Sequence, residues 1–110
     1  MKFLCLAYGD EKDWKALSKE EQEALLAQDD VMRKRGDIVA ALRPESTIVT
    51  AWGGVPHAAN GAFAPATKPL AGFGIIEAEN LKEAIRLVAN TPCARAKGAV
   101  ELHPIAAINL

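Results

Sequence analysis

Residues 47–73 read TIVTAWGGVPHAANGAFAPATKPLAGF, and this stretch decides the fold. The β-branched residues from Thr47 to Trp52 predict a strand. Gly53-Gly54 predicts a two-residue hairpin turn, because glycine adopts positive φ at no steric cost, and the chain then returns through Val55 to Ala59. Pro56 cannot donate a ladder hydrogen bond, so the returning strand is predicted to be an edge strand or irregular.

Two β-α-β segments flank this hairpin. Ser18 and Glu21 have capping-box spacing at the start of the first helix, and Asn80 and Glu83 repeat that spacing in the second. The predicted elements are strands at residues 2–8, 37–42, 70–78 and 99–103, a helix from Ser18 to Arg35, a helix begun at Asn80 and stopped by Asn90-Thr91-Pro92, a polar link through Trp14, and a loop over 62–69 after an Asn60-Gly61 turn.

The order β-α-β, hairpin, β-α-β predicts an α+β, ferredoxin-like fold with an inserted β-hairpin. Two helices on one face of an antiparallel sheet leave the other face bare. A bare apolar sheet face needs cover, and a second chain is the simplest source of it. The pattern therefore predicts that the protein is not a monomer.

Length and charge restrict the class of protein further. The chain has 110 residues, so we expect one domain over 1–110. Its net charge is −1, which gives no basic excess to attract nucleic acid or an anionic membrane. The apolar runs are far shorter than the roughly 20 residues that span a bilayer. The opening apolar stretch, Phe3 to Tyr8, is too short for a signal peptide and is interpreted as a strand.

The positions of the two cysteines and the absence of several sequence motifs restrict the kinds of metal, cofactor and catalytic site that the chain can form. Cys5 lies in an apolar strand and is predicted to be a small buried hydrophobe, whereas Cys93 lies near a helix end. Neither is in a CxxC pair, and no disulfide is needed, which fits a reducing cytoplasm. The sequence has no phosphate-binding glycine motif, no HExxH and no GxSxG. We therefore expect no metal and no cofactor.

Asn60-Gly61-Ala62-Phe63, followed by Gly72-Phe73, resembles the signature of the DGPF proteins, a branch of the YCII-related family. Residues 3–10 (FLCLAYGD) and 98–105 (GAVELHPI) resemble the two ends of that family, so the resemblance covers nearly all of the chain. It implies a dimeric α/β barrel, in which two sheets face one another.

This chain departs from the family pattern at functional positions. Asn60 stands where the DGPF pattern has aspartate, and it keeps the turn-forming ability but loses the charge. The wider family is thought to use a His–Asp pair with a histidine on the first helix. Here that helix has Asp29 and Asp30 and no histidine, so the pair does not carry over. Gln28 interrupts the apolar stripe of the same helix, where it faces either a pocket or a partly exposed edge.

His57 is the predicted catalytic residue. It lies on the hairpin, and histidine titrates near neutral pH, so it suits general acid or base catalysis. The alternative is a half-exposed hairpin histidine without a role. His103 ends the last strand at a position where the family often carries arginine; there it either holds an anionic ligand or pairs with Glu101 or Glu77.

Other residues are expected to line a ligand cleft. Tyr8 and Asp10 end a central strand, and Lys68 on a proline-rich loop is placed to reach an anionic ligand, unless it is simply solvated. For the aromatic residues, the alternative to lining the cleft is packing in the hydrophobic core. The predicted substrate-binding residues are Tyr8, Asp10, Trp52, Asn60, Phe63, Lys68 and His103.

Two functions remain open from the sequence. The first is a cytoplasmic dimer that binds a small organic molecule and acts as a lyase or isomerase; the wider family includes a dehydrochlorinase of chlorinated hydroxyquinols. The second is a non-catalytic ligand-sensing or accessory dimer, since DGPF-type proteins are often associated with alternative sigma factors. The balanced charge argues against nucleic-acid binding.

Overall fold

The computed structural model describes residues 1–64 and 66–109, so Pro65, within the predicted 62–69 loop, and the last residue lie outside the described part. The elements in chain order are β1 Lys2–Tyr8, α1 Glu11–Lys15, α2 Lys19–Lys34, β2 Ile38–Ala41, β3 Thr47–Thr50, a 3-10 turn Trp52–Gly54, β4 His57–Asn60, β5 Leu70–Glu77, α3 Leu81–Val88, α4 Pro92–Arg95 and β6 Ala99–Pro104. The chain is thus mixed α and β.

Four strands form one antiparallel sheet in the order β2-β5-β1-β6, and β3 and β4 form a separate two-stranded sheet. The register places Leu4 of β1 between Ile75 of β5 and His103 of β6. Because side chains of directly paired residues point to the same face, this register fixes which residues share each face.

One face of the main sheet carries the hydrophobic core. Phe3 and Ile76 are paired across β1 and β5, and both are almost fully buried. Met32 of α2 and Ala84 and Val88 of α3 pack against this face. Burying a side chain of the size of phenylalanine or isoleucine contributes about 1.5–3 kcal/mol, so this layer is a major source of stability.

The opposite face, which we call the open sheet face, consists of the alternate residues of the same strands. None of its residues belongs to the buried core of the described chain. Its members are Ile38 and Ala40 of β2, Phe73 and Ile75 of β5, Leu4, Leu6 and Tyr8 of β1, and Glu101 and His103 of β6. The bare face expected from the sequence is therefore present, and it is apolar except along β6.

The predicted helix starts agree with the structure. The Ser18 hydroxyl accepts a hydrogen bond from the Glu21 amide at 3.1 Å, and the Glu21 carboxylate accepts one from the Ser18 amide at 3.1 Å. This is the predicted capping box. Asn80 also caps its helix, by accepting from the Glu83 amide at 2.9 Å.

Two short helices were not predicted. The link through Trp14 is the helix α1, and the segment after Thr91 is the helix α4, with Pro92 in its first turn. Proline stops α3 because it lacks an amide hydrogen, but its fixed φ suits the first position of the next helix.

The hairpin is present, but its turn differs from the predicted one. Thr50 pairs with His57, so residues 51–56 form the connection and Gly53-Gly54 belongs to a 3-10 turn instead of a two-residue loop. Both glycines do have positive φ, at 74° and 86°. The strand resumes only after Pro56, because proline cannot donate to the ladder.

The hairpin stands apart from the rest of the molecule. Every residue of β4 is exposed, and its sheet shares no strand pairing with the main sheet. The radius of gyration is 15.5 Å, compared with about 13 Å for a compact chain of this length. The extents of 50 × 34 × 20 Å agree with a projecting element.

Candidate functional site

A cavity of about 210 Å³ lies between the core side of the sheet, the helix α2 and the start of α4. The strands contribute small residues to its wall, among them Ala7, Gly72 and Gly74. A Cβ at Gly72 would lie 2.7 Å from the Ala40 carbonyl oxygen, so the close pairing of β2 with β5 requires glycine there.

Asp29 of α2 brings an ionisable group to this cavity. The side chain is partly buried, and burial is the main reason that its pKa lies above the ordinary value for aspartate. Arg33 acts in the opposite direction, and the charge of Asp30 adds to the increase. Asp29 therefore keeps its proton to a higher pH than an exposed aspartate does.

Cys93 lies where this cavity meets a second one of about 460 Å³. Burial and the nearby charge of Asp29 raise the pKa of the Cys93 thiol, so the neutral form is favoured. Thr91 of the first cavity is nearly buried, and its hydroxyl donates to the Val88 carbonyl at 2.6 Å. Its oxygen is left to act as an acceptor. The Cys93 thiol thus lies in the wall that the two cavities share, and the Asp29 carboxyl group and the Thr91 hydroxyl oxygen line the first cavity beside it.

The second cavity is bounded by Asp10 and Trp14. Asp10 lies 3.9 Å from the Lys68 amine, and Lys68 donates to Asp13 at 2.5 Å. This hydrogen bond between Lys68 and Asp13 lowers the pKa of Asp13 and raises the pKa of Lys68. Asp10 and Lys68, both predicted from the sequence, are therefore brought together, but the lysine charge is already balanced by carboxylates.

The predicted hairpin residues lie elsewhere in the single chain. Trp52, His57, Asn60 and Phe63 are all exposed, and none of them lines either cavity. The acid–base role of His57 stays a prediction, because no contact within the described chain brings this histidine near the cavities.

Tyr8 and His103 lie on the open sheet face, on the opposite side of the sheet from the cavities. The His103 Nε2 is 2.5 Å from the Glu101 Oε1, which is the pairing that the sequence offered as an alternative to ligand binding. The predicted residues therefore occupy three places: the cavity rim, the hairpin and the open sheet face.

Sequence reasoning missed Asp29 and chose Gln28 as the odd polar residue of α2. The Gln28 side-chain amide donates to the Leu87 carbonyl at 3.1 Å and so links α2 to α3. Asp29 lies four residues after the buried Leu25 and three before the buried Met32. Such spacing puts it on the buried stripe, and this signal was sufficient to identify it.

A family model described as the YCII-related domain matches residues 1–109. The chain belongs to the YCII-related family. The resemblance seen in the sequence is thereby confirmed at the level of the family. No curated protein matches this YCII-related chain.

A solved dehydrochlorinase structure is among those similar to this YCII-related protein. It is 5-chloro-2-hydroxyhydroquinone dehydrochlorinase (TftG) from Burkholderia phenoliruptrix AC1100 in complex with 2,5-dihydroxybenzoquinone. The sequence identity is 18%, the match covers 96% of this chain and 93% of that chain, and the TM-score is 0.49.

Two features are absent from the described residues. No group of three or more histidine, cysteine, aspartate or glutamate side chains is placed to hold a metal ion within residues 1–64 and 66–109. Over the same part of the chain, no helix is both long and apolar enough to cross a membrane.

Proposed function

We propose that this YCII-related protein binds one small organic molecule in the cavity between its sheet and helices. The observation that carries the proposal is a partly buried carboxyl group, Asp29, facing a cavity whose remaining wall is mainly apolar. Apolar pockets with a few convergent polar groups and a shifted pKa are typical of ligand sites.

The dimensions and charge of the cavity favour a neutral single-ring compound. An apolar cavity of about 150 Å³ is large enough to bind benzene, so about 210 Å³ suits a ring with one or two substituents. Arg33 is the one basic side chain lining it among the described residues, and it is paired with Asp30 at 3.0 Å. An anionic ligand would lie near Asp29 without a free cation to balance it.

Chemistry of the lyase or isomerase type is the further step of this proposal. The Asp29 carboxyl group supplies a site for proton exchange with a bound molecule, and the Thr91 oxygen supplies an acceptor. The predicted acid–base group His57 would act only if the hairpin of another copy reaches the site. DGPF membership also remains part of this proposal.

A non-catalytic ligand-sensing or accessory dimer is the second candidate. Two observations favour it: His57 lies outside both cavities, and the charge of Lys68 is taken up by Asp13. In this case the cavity binds a ligand without converting it.

The assembly that we propose is a homodimer through the open sheet faces, in the form of a dimeric α/β barrel. The strand order β2-β5-β1-β6 and the two β-α-β segments support a ferredoxin-like topology. The accessible surface is 7942 Å², compared with about 5,900 Å² for a compact monomer of this size. The excess of roughly 2,000 Å² is comparable with what one subunit buries in a stable homodimer.

The free thiols of Cys5 and Cys93 support a reducing, cytoplasmic setting.

The first test is native mass spectrometry of the purified protein, which weighs the assembly and any retained ligand together. A dimer with a small additional mass supports the proposal and identifies the compound by its mass.

The second test uses phenol and benzoate as neutral and anionic probes in titrations followed by amide NMR. We expect phenol to shift the resonances around Asp29 and Cys93, with a weaker effect of benzoate at pH 7. The variant Asp29→Asn should change phenol affinity, whereas Glu23→Gln, at an exposed position of the same helix, should leave it unchanged. Shifts confined to the hairpin, or equal effects of both variants, would exclude the cavity as the site.

A further inference from the structure

The hairpin β3–β4 and the loop after it form a segment without formal charge. Residues 46–67 contain no aspartate, glutamate, lysine or arginine, although a quarter of the chain is charged. A stretch of this length with average composition would carry about five charges. Solvated surface is normally rich in charged residues, whereas interface centres are depleted in them.

Large apolar side chains on this segment are directed into solvent. Trp52 is 84% exposed and Phe63 is 78% exposed, and Val49 and Val55 are also mainly exposed. These four residues account for the most exposed large hydrophobic side chains of the described chain. Tryptophan and phenylalanine are enriched at interfaces, where they serve as anchors.

A two-stranded hairpin is at best marginally stable in water without further packing. This one pairs with no other strand, and all four residues of β4 are exposed. Both of its outer edges also lack the lysines that usually protect edge strands from association. The physical chemistry of the segment therefore requires a covering surface outside its own chain.

The surrounding observations favour a second copy of the chain as that surface. The hairpin leaves the main sheet after Ala41 and the chain returns to it at Leu70, so it is joined directly to two strands of the open sheet face. The excess accessible area already matches the requirement of a homodimer. A segment without charge also offers nothing to nucleic acid or to an anionic membrane.

We propose that the hairpin is an arm that packs against a second copy of this chain and buries Trp52 and Phe63 there. The inference extends the homodimer of the proposed function, on which it rests, by adding a contact outside the sheet faces. It also carries His57 of each copy onto the surface of the other, because this histidine is part of the same arm.

Sedimentation analysis of two matched variants tests the arm. Val49→Lys places a charge on the arm, and Val31→Lys places one at a half-exposed valine on α2. Since a symmetric dimer contains the change twice, we expect Val49→Lys to raise the dimer dissociation constant about tenfold or more. Val31→Lys should have no effect. Equal dissociation constants for Val49→Lys and the wild type, with unchanged circular dichroism, would overturn the arm while leaving the sheet-face dimer intact.

Tryptophan fluorescence gives a second measurement that does not depend on the folding of the lysine variants. In Trp14→Phe, Trp52 is the remaining tryptophan. Its emission should be shifted to shorter wavelength at concentrations where the dimer forms and should move to the solvent position on dilution. A dimer whose Trp52 emits at the solvent position overturns the arm. A chain that is monomeric at all concentrations overturns both the arm and the dimer, whereas phenol binding tests the cavity independently.

Discussion

The substitution Gly72→Ala sets two opposing effects against each other at the wall of the cavity. Replacing glycine by alanine reduces the entropy of the unfolded chain, which stabilises a protein by about 0.4–1 kcal/mol where the native backbone tolerates it. At this position the new Cβ would lie 2.7 Å from the Ala40 carbonyl oxygen, closer than real Cβ contacts. The obstructing atom belongs to the backbone of β2, so no side chain can rotate away.

The steric effect should win. Overpacking of this kind costs about 1–3 kcal/mol, which leaves a net loss of roughly 1–2 kcal/mol after the entropic gain. For a chain of this length that loss lowers the melting temperature by about 4–9 °C. Gly74→Ala, whose Cβ would lie 2.9 Å from the Ile38 carbonyl oxygen, should show the same direction with a smaller loss.

Urea unfolding followed by circular dichroism measures both variants against the wild type. Because β2 must move away from β5 to admit the methyl group, Gly72→Ala should also alter the amide resonances of Ala40 and Ala41. Unchanged or increased stability of Gly72→Ala would refute the reasoning, since it would mean that β2 yields without cost and that glycine is not required by the pairing.

Three further predictions concern the cavity and the first long helix. Burial raises the Asp29 pKa, so ionisation of this group destabilises the folded state as the pH rises above the ordinary aspartate pKa of 3.8. Asp29→Asn removes the ionising group and should therefore be more stable than the wild type at high pH. Urea unfolding at pH 4 and pH 8 should show a difference only at the higher pH. Cys93 should react slowly with iodoacetamide at pH 8 and faster in Asp29→Asn, since burial and the Asp29 charge both raise the Cys93 pKa. Cys5, with a pKa raised to about 11, should stay unmodified in the folded protein, and mass spectrometry of the digested protein distinguishes the two cysteines. Equal Cys93 reaction rates in the wild type and Asp29→Asn would contradict the effect of the Asp29 charge on the thiol. Ser18→Ala removes the capping box of α2 and should cost about 1 kcal/mol in thermal unfolding; Ser46→Ala, in the loop before β3, is the control without a cap to lose.

The main sheet and the long helices were predictable because their signals are local. The hydrogen bond from the Glu21 amide to the Ser18 side chain depends only on the spacing of these two residues. The alternation of buried and exposed side chains along β1 depends only on the two-residue period of a strand. The hairpin turn was wrong in detail because Pro56 controls where β4 starts, and this effect competes with the preference of Gly53-Gly54 for a tight turn.

The candidate site was harder to predict because it depends on contacts between distant segments. Asp29 and Cys93 meet at one cavity only after α2 and α4 pack on the same side of the sheet. Lys68 was predicted to reach an anionic ligand, but its partner Asp13 lies on α1, a helix that the sequence reasoning treated as a polar link. His57 was chosen for its chemistry alone, and chemistry without position does not identify a site.

The strand β1 has a consequence for how the chain reaches its folded state. Its residues pair on one side with Leu70–Glu77 and on the other with Ala99–Pro104, so the central strand of the sheet receives both neighbours from segments synthesised long after it. Ordering such distant partners requires the closure of large loops before any pairing is gained, which slows folding. During translation the apolar strand β1 therefore has no partner until β5 has left the ribosome, and its second edge is paired only after β6 follows. A chaperone that holds short apolar segments would find its substrate in these first residues.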